Sequence, residues 1–404
     1  MMANVRPRLR PFLQATPEDD SYTSFILSDY LRLSPTIRLN ALELHCLRLL
    51  DGQRSLLDIH SEITRVLGGR VIPLQDFYAL IDNLDQALFL DTHRFHDRAN
   101  APVRPPSCLG VYSEDPDVLR RQMRQLFTHP QAAGLPTSYG SSNPLRAVLS
   151  PHIDYTRGGI SYTYAFRELV EQTSASLFVI VGTSHYAGNY RFTLTRKHFQ
   201  TPLGIVPTDQ HYIDRLVAHY GDGLFDGEWI AHFPEHSIEL EVIPLQYLYE
   251  GRRDIRIVPL VVGSFHDCVA TGNLPEQAED IRRMVQAMQA VEREMNEPIC
   301  YIISGDLAHI GPKFDDPQPV YRQQLEHSRR QDQALLEQVV QADQTGYFRI
   351  LAEEGDQRRI CGFPPTWLVM AVTQPRCGKL LHYAQYVHPQ GYESVSFASV
   401  GLYA

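Results

Sequence analysis

The fold is decided by the stretch Cys300-Tyr301-Ile302-Ile303-Ser304-Gly305-Asp306-Leu307-Ala308-His309-Ile310-Gly311, an apolar run that breaks at Ser-Gly into polar side chains. An apolar run of this length bounded by glycine is typical of a parallel strand that is buried on both faces, although its periodicity also fits a buried helix segment. A strand here would place Asp306 and His309 in the loop at its carboxyl end.

Three other apolar runs also lead into a histidine. They span residues 147–152, 177–185 and 255–266, and their final residues are His152, His185 and His266. Because ligands bind beyond the carboxyl ends of the strands in open α/β sheets, we expect all four loops to converge on one site. From Arg146 onward, predicted strands and helices alternate, which indicates an α/β domain with a mostly parallel central sheet flanked by helices.

Composition limits the classes of function. The 404 residues are 43% hydrophobic and 21% charged, with 37 basic and 47 acidic residues and a formal net charge of -10. This balance disfavours a general nucleic-acid or acidic-membrane binder, because phosphate contacts need clustered Lys and Arg. No run of 18 apolar residues and no secretory leader is evident, so we expect a cytoplasmic protein. The six cysteines form no CxxC pair, so neither a zinc ribbon nor a disulfide framework is indicated.

The pattern divides the chain into an N-terminal module, a linker with a connecting helix, and an α/β domain, over residues 1–97, 98–144 and 145–404. Apolar residues at helical spacing predict helices in the module over 41–50, 55–67 and 74–88. Residues 89–95 are expected to form a strand, and residues 116–127 the connecting helix.

Three helices and a strand suggest a winged-helix-like module. With its Leu-Leu-Asp-Gly turn at 49–52 and the closing Asn-Leu-Asp-Gln-Ala-Leu-Phe-Leu at 83–90, it resembles the PqqD-like peptide-recognition domains found beside radical-SAM enzymes. Residues 1–100 carry 11 Arg and no Lys against 13 acidic residues, a net charge of -2, whereas DNA-binding modules usually carry a basic stripe. We therefore expect contact with protein or peptide rather than DNA, with a purely structural helical cap as the alternative.

Five loops concentrate residue types that ligate transition metals or transfer protons, and they span 151–155, 183–186, 234–239, 304–309 and 359–365. Cys361 precedes two prolines and an apolar helix, so the helix N-terminus should favour its thiolate, whereas a buried thiol acting as a small apolar residue is the alternative. In Glu235-His236, adjacent side chains on a strand would point to opposite faces, so one of them is expected to act as a base or to support a ligand.

Seven motifs in these regions are similar, in order, to those of the Memo family. They are Pro-His-x-x-Tyr at 151–155, Gly-Thr-Ser-His at 182–185, Thr-Pro-Leu-Gly at 201–204, Glu-His-Ser-Ile-Glu at 235–239, Val-Pro-Leu-Val-Val-Gly at 258–263, Ser-Gly-Asp-Leu-Ala-His at 304–309 and Cys-Gly at 361–362. The resemblance covers about residues 145 to 404. It implies a fold similar to class III extradiol dioxygenases and a role as protein B of the AmmeMemoRadiSam gene set, with a radical-SAM protein and an AMMECR-type protein as partners.

The resemblance also implies a metal centre. Its metal ligands match His152, His185 and Cys361. Its other pocket residues, expected to take part in catalysis, match His236, Asp306 and His309. A His-His-Cys set suits iron or copper, and zinc binds the same donors. Where the family often has Ala-Gly after the first histidine, this chain has Ile153-Asp154, which is expected to put a carboxylate near His152.

Three functions remain open from the sequence. The first is a metal-dependent redox enzyme of dioxygenase-like fold, in which a histidine near its unperturbed pKa of about 6.5 donates or accepts a proton. The second is a non-catalytic protein that binds peptides or proteins and keeps a vestigial pocket. The third, a metal-free hydrolase with Cys361 as nucleophile, ranks last because no sequence feature supplies an oxyanion hole.

Overall fold

The computed structural model describes residues 5–140, 145–186 and 188–404 and divides the chain into two compact units, Met1–Pro102 and Val103–Ala404. The sequence predicted the first boundary at residue 97. Of the predicted linker and connecting helix over 98–144, residues 141–144 lie outside the described residues, and the part from Val103 onward belongs to the second unit. Within the described ranges, no helix combines the length and apolar character needed to cross a lipid bilayer.

The first unit combines a three-stranded antiparallel sheet with four helices. Its strands are β1 (Leu13–Pro17), β2 (Ser24–Asp29) and β3 (Ile37–Asn40), and its helices are α1 (Ala41–Arg48), α2 (Leu56–Val66), α3 (Leu74–Gln86) and α4 (His93–Ala99). The first three helices confirm the predicted ones. Capping boxes fix the starts of α1 and α2, where Asn40 pairs with Glu43 and Ser55 with Asp58.

The strand predicted over residues 89–95 is wrong. Leu90 makes only an isolated bridge to Leu9, and helix α4 begins at His93. The helix buries the aromatic ring of Phe95 completely. The apolar character of the segment therefore reflects helix packing and not sheet pairing.

The second unit is a larger α/β assembly. Its elements are β4 (Val103–Arg104), α5 (Pro116–Phe127), β5 (Leu145–Ser150), α6 (Tyr155–Gln172), β6 (Leu177–Thr183), β7 (Phe192–Leu194), β8 (His198–Thr201), β9 (Gly204–Val206), α7 (Gln210–Tyr220), α8 (Glu228–His232), α9 (Glu239–Tyr249), β10 (Arg256–Val262), α10 (His266–Thr271), α11 (Glu279–Glu294), β11 (Ile299–Ser304), β12 (His309–Ile310), α12 (Arg322–Val340), α13 (Gln344–Glu354), α14 (Phe363–Thr373), β13 (Cys377–Val387) and β14 (Ser394–Tyr403). The predicted connecting helix is α5, and the apolar run around Ile302 is strand β11.

The main sheet has a parallel centre and antiparallel edges. Its order is β12-β14-β5-β11-β6-β10-β7, and β13 also pairs with β14. Strands β5, β11, β6 and β10 are parallel, whereas β14 and β7 run antiparallel to their neighbours. A small separate sheet pairs β4, β8 and β9. The predicted α/β architecture with a largely parallel central sheet is confirmed.

Both faces of this sheet are buried, which explains the uninterrupted apolar runs. In β6, Val179 and Val181 face one core and Phe178 and Ile180 face the other, as the alternation of a strand requires. Helices α7, α11 and α14 contribute to the first core, and helices α5, α6 and α9 to the second. The loops at the strand ends are thus held between two helical layers.

Candidate metal centre

The carboxyl ends of the central parallel strands lie side by side. Ser304 at the end of β11 pairs with Ser150 of β5, and Val262 of β10 pairs with Thr183 of β6. The loops that follow therefore start at one edge of the sheet, where ligands bind in such folds. The first ionisable side chains after these four strand ends are those of His152, His185, His266 and Asp306.

His152 is the common member of two groups of donor atoms. The first group is His152, His185 and His236, and the second is His152, Asp306 and Cys361. Within each group the donor atoms lie within 4.8 Å of one another. The Nε2 atom of His152 is 3.2 Å from Sγ of Cys361 and 3.7 Å from Oδ2 of Asp306. The predicted ligands His152, His185 and Cys361 are therefore divided between two groups that meet at His152.

The buried carboxylate of Glu235 holds two of these histidines. Its Oε1 lies 2.9 Å from Nδ1 of His185 and 3.3 Å from Nδ1 of His236, and its Oε2 accepts the backbone N–H of His185 at 2.8 Å. A carboxylate at Nδ1 fixes the ring and favours metal binding through Nε2. Glu235 and His236 lie in the irregular segment between α8 and α9 and not on a strand, and both side chains reach the site.

Electrostatics reinforce this contact. Burial alone would raise the pKa of Glu235, but the His185 and His236 rings and the hydrogen bonds hold it well below its ordinary value. For His185 burial acts to lower the pKa, but the Glu235 carboxylate more than offsets this effect, so the pKa of His185 is raised. Glu235 is therefore ionised at neutral pH, and its negative charge favours a cation at the neighbouring rings.

Cys361 lies directly before helix α14, as predicted, but its thiol is not activated. Burial, with a further contribution from the Asp306 carboxyl group, raises the pKa of Cys361 well above its ordinary value. Desolvation thus outweighs the helix N-terminus, and the thiol is protonated at neutral pH without a metal. Its loop is fixed by Thr183, whose hydroxyl donates to the Cys361 carbonyl at 2.7 Å.

Close backbone packing brings the Cys361 loop to the strand end. A Cβ atom on Gly305 would lie 2.4 Å from Cα of Gly362, so the two loops could not approach this closely with side chains at that position. The N–H of Gly362 donates to the Asp306 carbonyl at 2.9 Å, and the N–H of Asp306 points to Sγ of Cys361 at 3.4 Å.

Asp306 and His309 differ in their ionisation. Burial raises the pKa of Asp306 to about 7, although the N–H groups of His152 and Ile153 act in the opposite direction. Burial lowers the pKa of His309 to about 4. His309 Nδ1 lies 3.0 Å from the Leu307 carbonyl, which assigns the ring proton to Nδ1, but His309 belongs to neither donor group.

His266 lines a pocket next to Cys361. A pocket of about 210 Å³ is lined by residues that include Thr183, Ser264, Phe265, His266, Arg359 and Cys361. The predicted convergence of four loops is therefore present, with His266 at the pocket wall and outside the two donor groups.

The expectation that Asp154 lies beside His152 as a supporting carboxylate needs correction. Its carboxylate caps helix α6 by accepting the N–H groups of Thr156 and Arg157, and it pairs with the Arg157 guanidinium at 2.5 Å. Asp-x-x-Arg at a helix start is a signal for this capping role. No role of their own was predicted from the sequence for Ser304 and Glu241, which lie behind His152. A glutamate inside the apolar run Leu-Glu-Val-Ile-Pro-Leu was the available signal for the latter.

Comparison with known proteins identifies the family of this chain. A family model described as Memo-like protein matches residues 104–401. A MEMO1 family protein of Methanopyrus kandleri is 27% identical over 73% of this chain and 98% of its own length, and one of Caldivirga maquilingensis is 28% identical over 74% and 99%.

A third relative extends over both units. The MEMO1 family protein of Aquifex aeolicus is 24% identical over 99% of this chain and 100% of its own length. The alignment with this relative therefore includes the sequence of both units. Since the family model spans well over half of the sequence, the chain belongs to the Memo-like protein family.

Proposed function

We propose that this protein is a non-haem, metal-dependent redox enzyme whose ion is held by His152, His185 and Cys361. The observation that carries the proposal is the contact of the Glu235 carboxylate with Nδ1 of His185, which leaves the other ring nitrogen available to an ion. A charged carboxylate buried to 1% exposure would be costly unless it stabilised neighbouring positive charge.

The donor set fits iron, copper or zinc. Imidazole nitrogen binds all three metals, and a thiolate favours copper(I) and zinc in particular. Iron or copper, when bound, would supply one-electron chemistry that protein side chains alone cannot. Cys361 would lose its proton on coordination, because a metal-bound thiol is deprotonated outright.

The chain's own residues can move protons beside this centre. Asp306, with a pKa of about 7, can hold or release a proton near neutral pH. His309 carries its proton on Nδ1, so its Nε2 can accept one. His236 shares Glu235 with His185 and can serve as a third proton carrier. The small pocket beside Cys361 would orient a substrate group and restrict the entry of water.

The proposed partners follow from the family resemblance. They are a radical-SAM protein and an AMMECR-type protein, with a peptide as the candidate substrate. In the first unit, which we propose to be a winged-helix-like module, the net charge of -2 favours contact with peptide or protein over contact with DNA. Salt-sensitive, tight binding of DNA by the full chain that is lost when residues 1–97 are removed would contradict this role.

Metal analysis of protein purified without oxygen tests the proposal. We expect about one iron or copper ion per chain in the wild type, and loss of most of it in Cys361→Ser. Cys377→Ser is the matched control, because Cys377 is exposed. Protein without stoichiometric metal, or equal metal content in the two variants, would contradict the proposal. Tight peptide binding by metal-free protein would instead favour the non-catalytic alternative.

A further inference from the structure

Glu241 is a buried acid without an evident structural role. It lies in helix α9 and is fully inaccessible to solvent. Among the described residues, neither carboxyl oxygen has a hydrogen-bond partner of good geometry. Burial raises the pKa of Glu241 well above its ordinary value and so favours the neutral carboxylic acid. An unpartnered buried acid costs stability, which suggests that it serves the neighbouring site.

Two serine hydroxyls lie next to this acid. Ser150 and Ser304 both act on the Glu241 carboxyl group, partly offsetting the effect of burial on its pKa. They are the last residues of β5 and β11 and are paired across the sheet. His152 follows Ser150 by two positions, and the Oγ atom of Ser304 lies 3.4 Å from Nδ1 of His152. Glu241 is thus separated from His152 by a single hydroxyl group.

The hydrogen bonds of Ser304 determine which neighbouring groups must donate a hydrogen bond to its hydroxyl oxygen. The hydroxyl proton of Ser304 is used in a bond to the Ser237 carbonyl at 2.5 Å. Its oxygen can therefore only accept from its remaining neighbours. A neutral Glu241 can donate an O–H to this oxygen, and His152 can donate its Nδ1–H. An ionised Glu241 could not donate to the Ser304 oxygen, because a carboxylate only accepts.

We propose that Glu241 is a positioning residue of the metal centre, a neutral acid that hydrogen-bonds Ser304 and through it holds His152 with its proton on Nδ1. Nε2 of His152 is then left with its lone pair, 3.2 Å from Sγ of Cys361. The purpose of this arrangement rests on the proposed metal-dependent function, but the arrangement itself can be observed without a metal.

The test uses the metal-free full-length protein and three variants. Glu241→Gln keeps a neutral donor of the same shape, Glu241→Met removes the donor, and Ser304→Ala removes the intermediary. Tyr249→Phe is the matched control, because Tyr249 also has a buried hydroxyl without a partner among the described residues and lies in the same helix. Long-range proton–nitrogen NMR reports the histidine tautomers, and the His152 signals are identified by their absence in His152→Gln.

We expect the Nδ1–H tautomer of His152 in the wild type, Glu241→Gln and Tyr249→Phe, and a mixture of tautomers in Glu241→Met. Zinc affinity, measured by chelator competition, should fall about 10- to 100-fold in Glu241→Met and remain near wild type in Glu241→Gln. In a Ser304→Ala background, Gln and Met at position 241 should give equal affinities, because the hydroxyl that transmits the effect is absent.

A wild-type tautomer and affinity in Glu241→Met would overturn the proposal. So would equal impairment of Glu241→Gln and Glu241→Met, because it would show that an ionised carboxylate is required. If Glu241→Met does not fold, the comparison of Glu241→Gln with Ser304→Ala decides, since only the latter should lose the Nδ1–H tautomer. Failure of the wild type to bind zinc, with the tautomer pattern intact, would contradict the proposed function and leave the positioning role supported.

Discussion

Nε2 of His152 lies 3.2 Å from Sγ of Cys361, although the two residues are 209 positions apart in the sequence. The strand order explains this proximity. His152 follows β5, and Cys361 precedes α14, a helix that packs on β5, β6 and β11. The central strands therefore place an imidazole and a thiol, two good ligands for soft metals, within hydrogen-bonding distance of each other.

Removing the carboxylate behind the histidines should weaken metal binding. Glu235→Gln keeps the side-chain shape but loses the negative charge beside His185 and His236. We expect about 10- to 100-fold lower zinc affinity by chelator competition. Glu250→Gln, in an exposed ion pair with Arg120, is the control and should bind zinc as the wild type does. Unchanged affinity in Glu235→Gln would show that the carboxylate does not support the ligands.

Cobalt substitution should reveal whether sulfur is a ligand. Since burial keeps the Cys361 thiol protonated in the metal-free protein, a thiolate-to-cobalt charge-transfer band should develop only as cobalt binds. The band should be absent in Cys361→Ser and present in Cys377→Ser. A cobalt protein without this band would assign the ion to the group His152, His185 and His236 instead.

Part of this site could be predicted from sequence because strand ends are local features. The run around Ile302 and the motif residues around His152 and His185 sufficed to place the loops. The relation of Glu235 to two histidines could not be predicted, because it depends on an irregular segment that brings adjacent side chains to one site. The division of donors between two groups depends on loop conformations that residue spacing does not determine.

In the first unit, prediction from the sequence was limited in the same way. Helices α1, α2 and α3 have strong apolar periodicity and were predicted, whereas strands β1 to β3 were missed. Their residues are mostly half-buried or exposed, so the apolar alternation typical of a strand is weak. The segment from Phe89 to Phe95 was assigned to the wrong element because a short apolar run fits both a strand and a helix.

Acid should destabilise the protein partly through His232. Burial lowers its pKa to about 3, although the Thr193 carbonyl acts in the opposite direction. The folded-state pKa of His232 lies below the unfolded value of about 6.5, so its contribution to the free energy of unfolding is fully present above pH 6.5. This contribution is lost as the pH falls toward the folded-state pKa of about 3, by up to about 1.4 kcal/mol per pH unit.

Urea unfolding of metal-free protein between pH 7.5 and 4.5 measures this loss. His232→Gln can still donate to the Thr193 carbonyl and should reduce the slope of unfolding free energy against pH. His129→Gln, at an exposed position, should leave the slope unchanged. An identical slope in the wild type and His232→Gln would contradict the assignment.

The start of the second unit should depend on one buried ion pair. Arg104 and Glu239 are both fully inaccessible to solvent and are paired, and Glu239 also accepts the N–H groups of Ser107 and Cys108. Glu239→Ala should lower the free energy of unfolding by about 3 to 5 kcal/mol, because it leaves a buried guanidinium unpaired. Glu250→Ala should cost no more than about 1 kcal/mol by the same chemical denaturation. Equal, small effects would show that residues 103–108 are not anchored as described.

Anomalous X-ray diffraction from crystals of iron- or copper-loaded protein, grown without oxygen, tests the central claim most directly. We expect one anomalous peak bonded to His152, His185 and Sγ of Cys361, at about 2.0 to 2.3 Å on the scale of nitrogen and sulfur bonds to zinc. A peak bonded to histidines alone with Sγ beyond bonding distance, or no peak at this edge of the sheet in crystals shown to contain the metal, would contradict it.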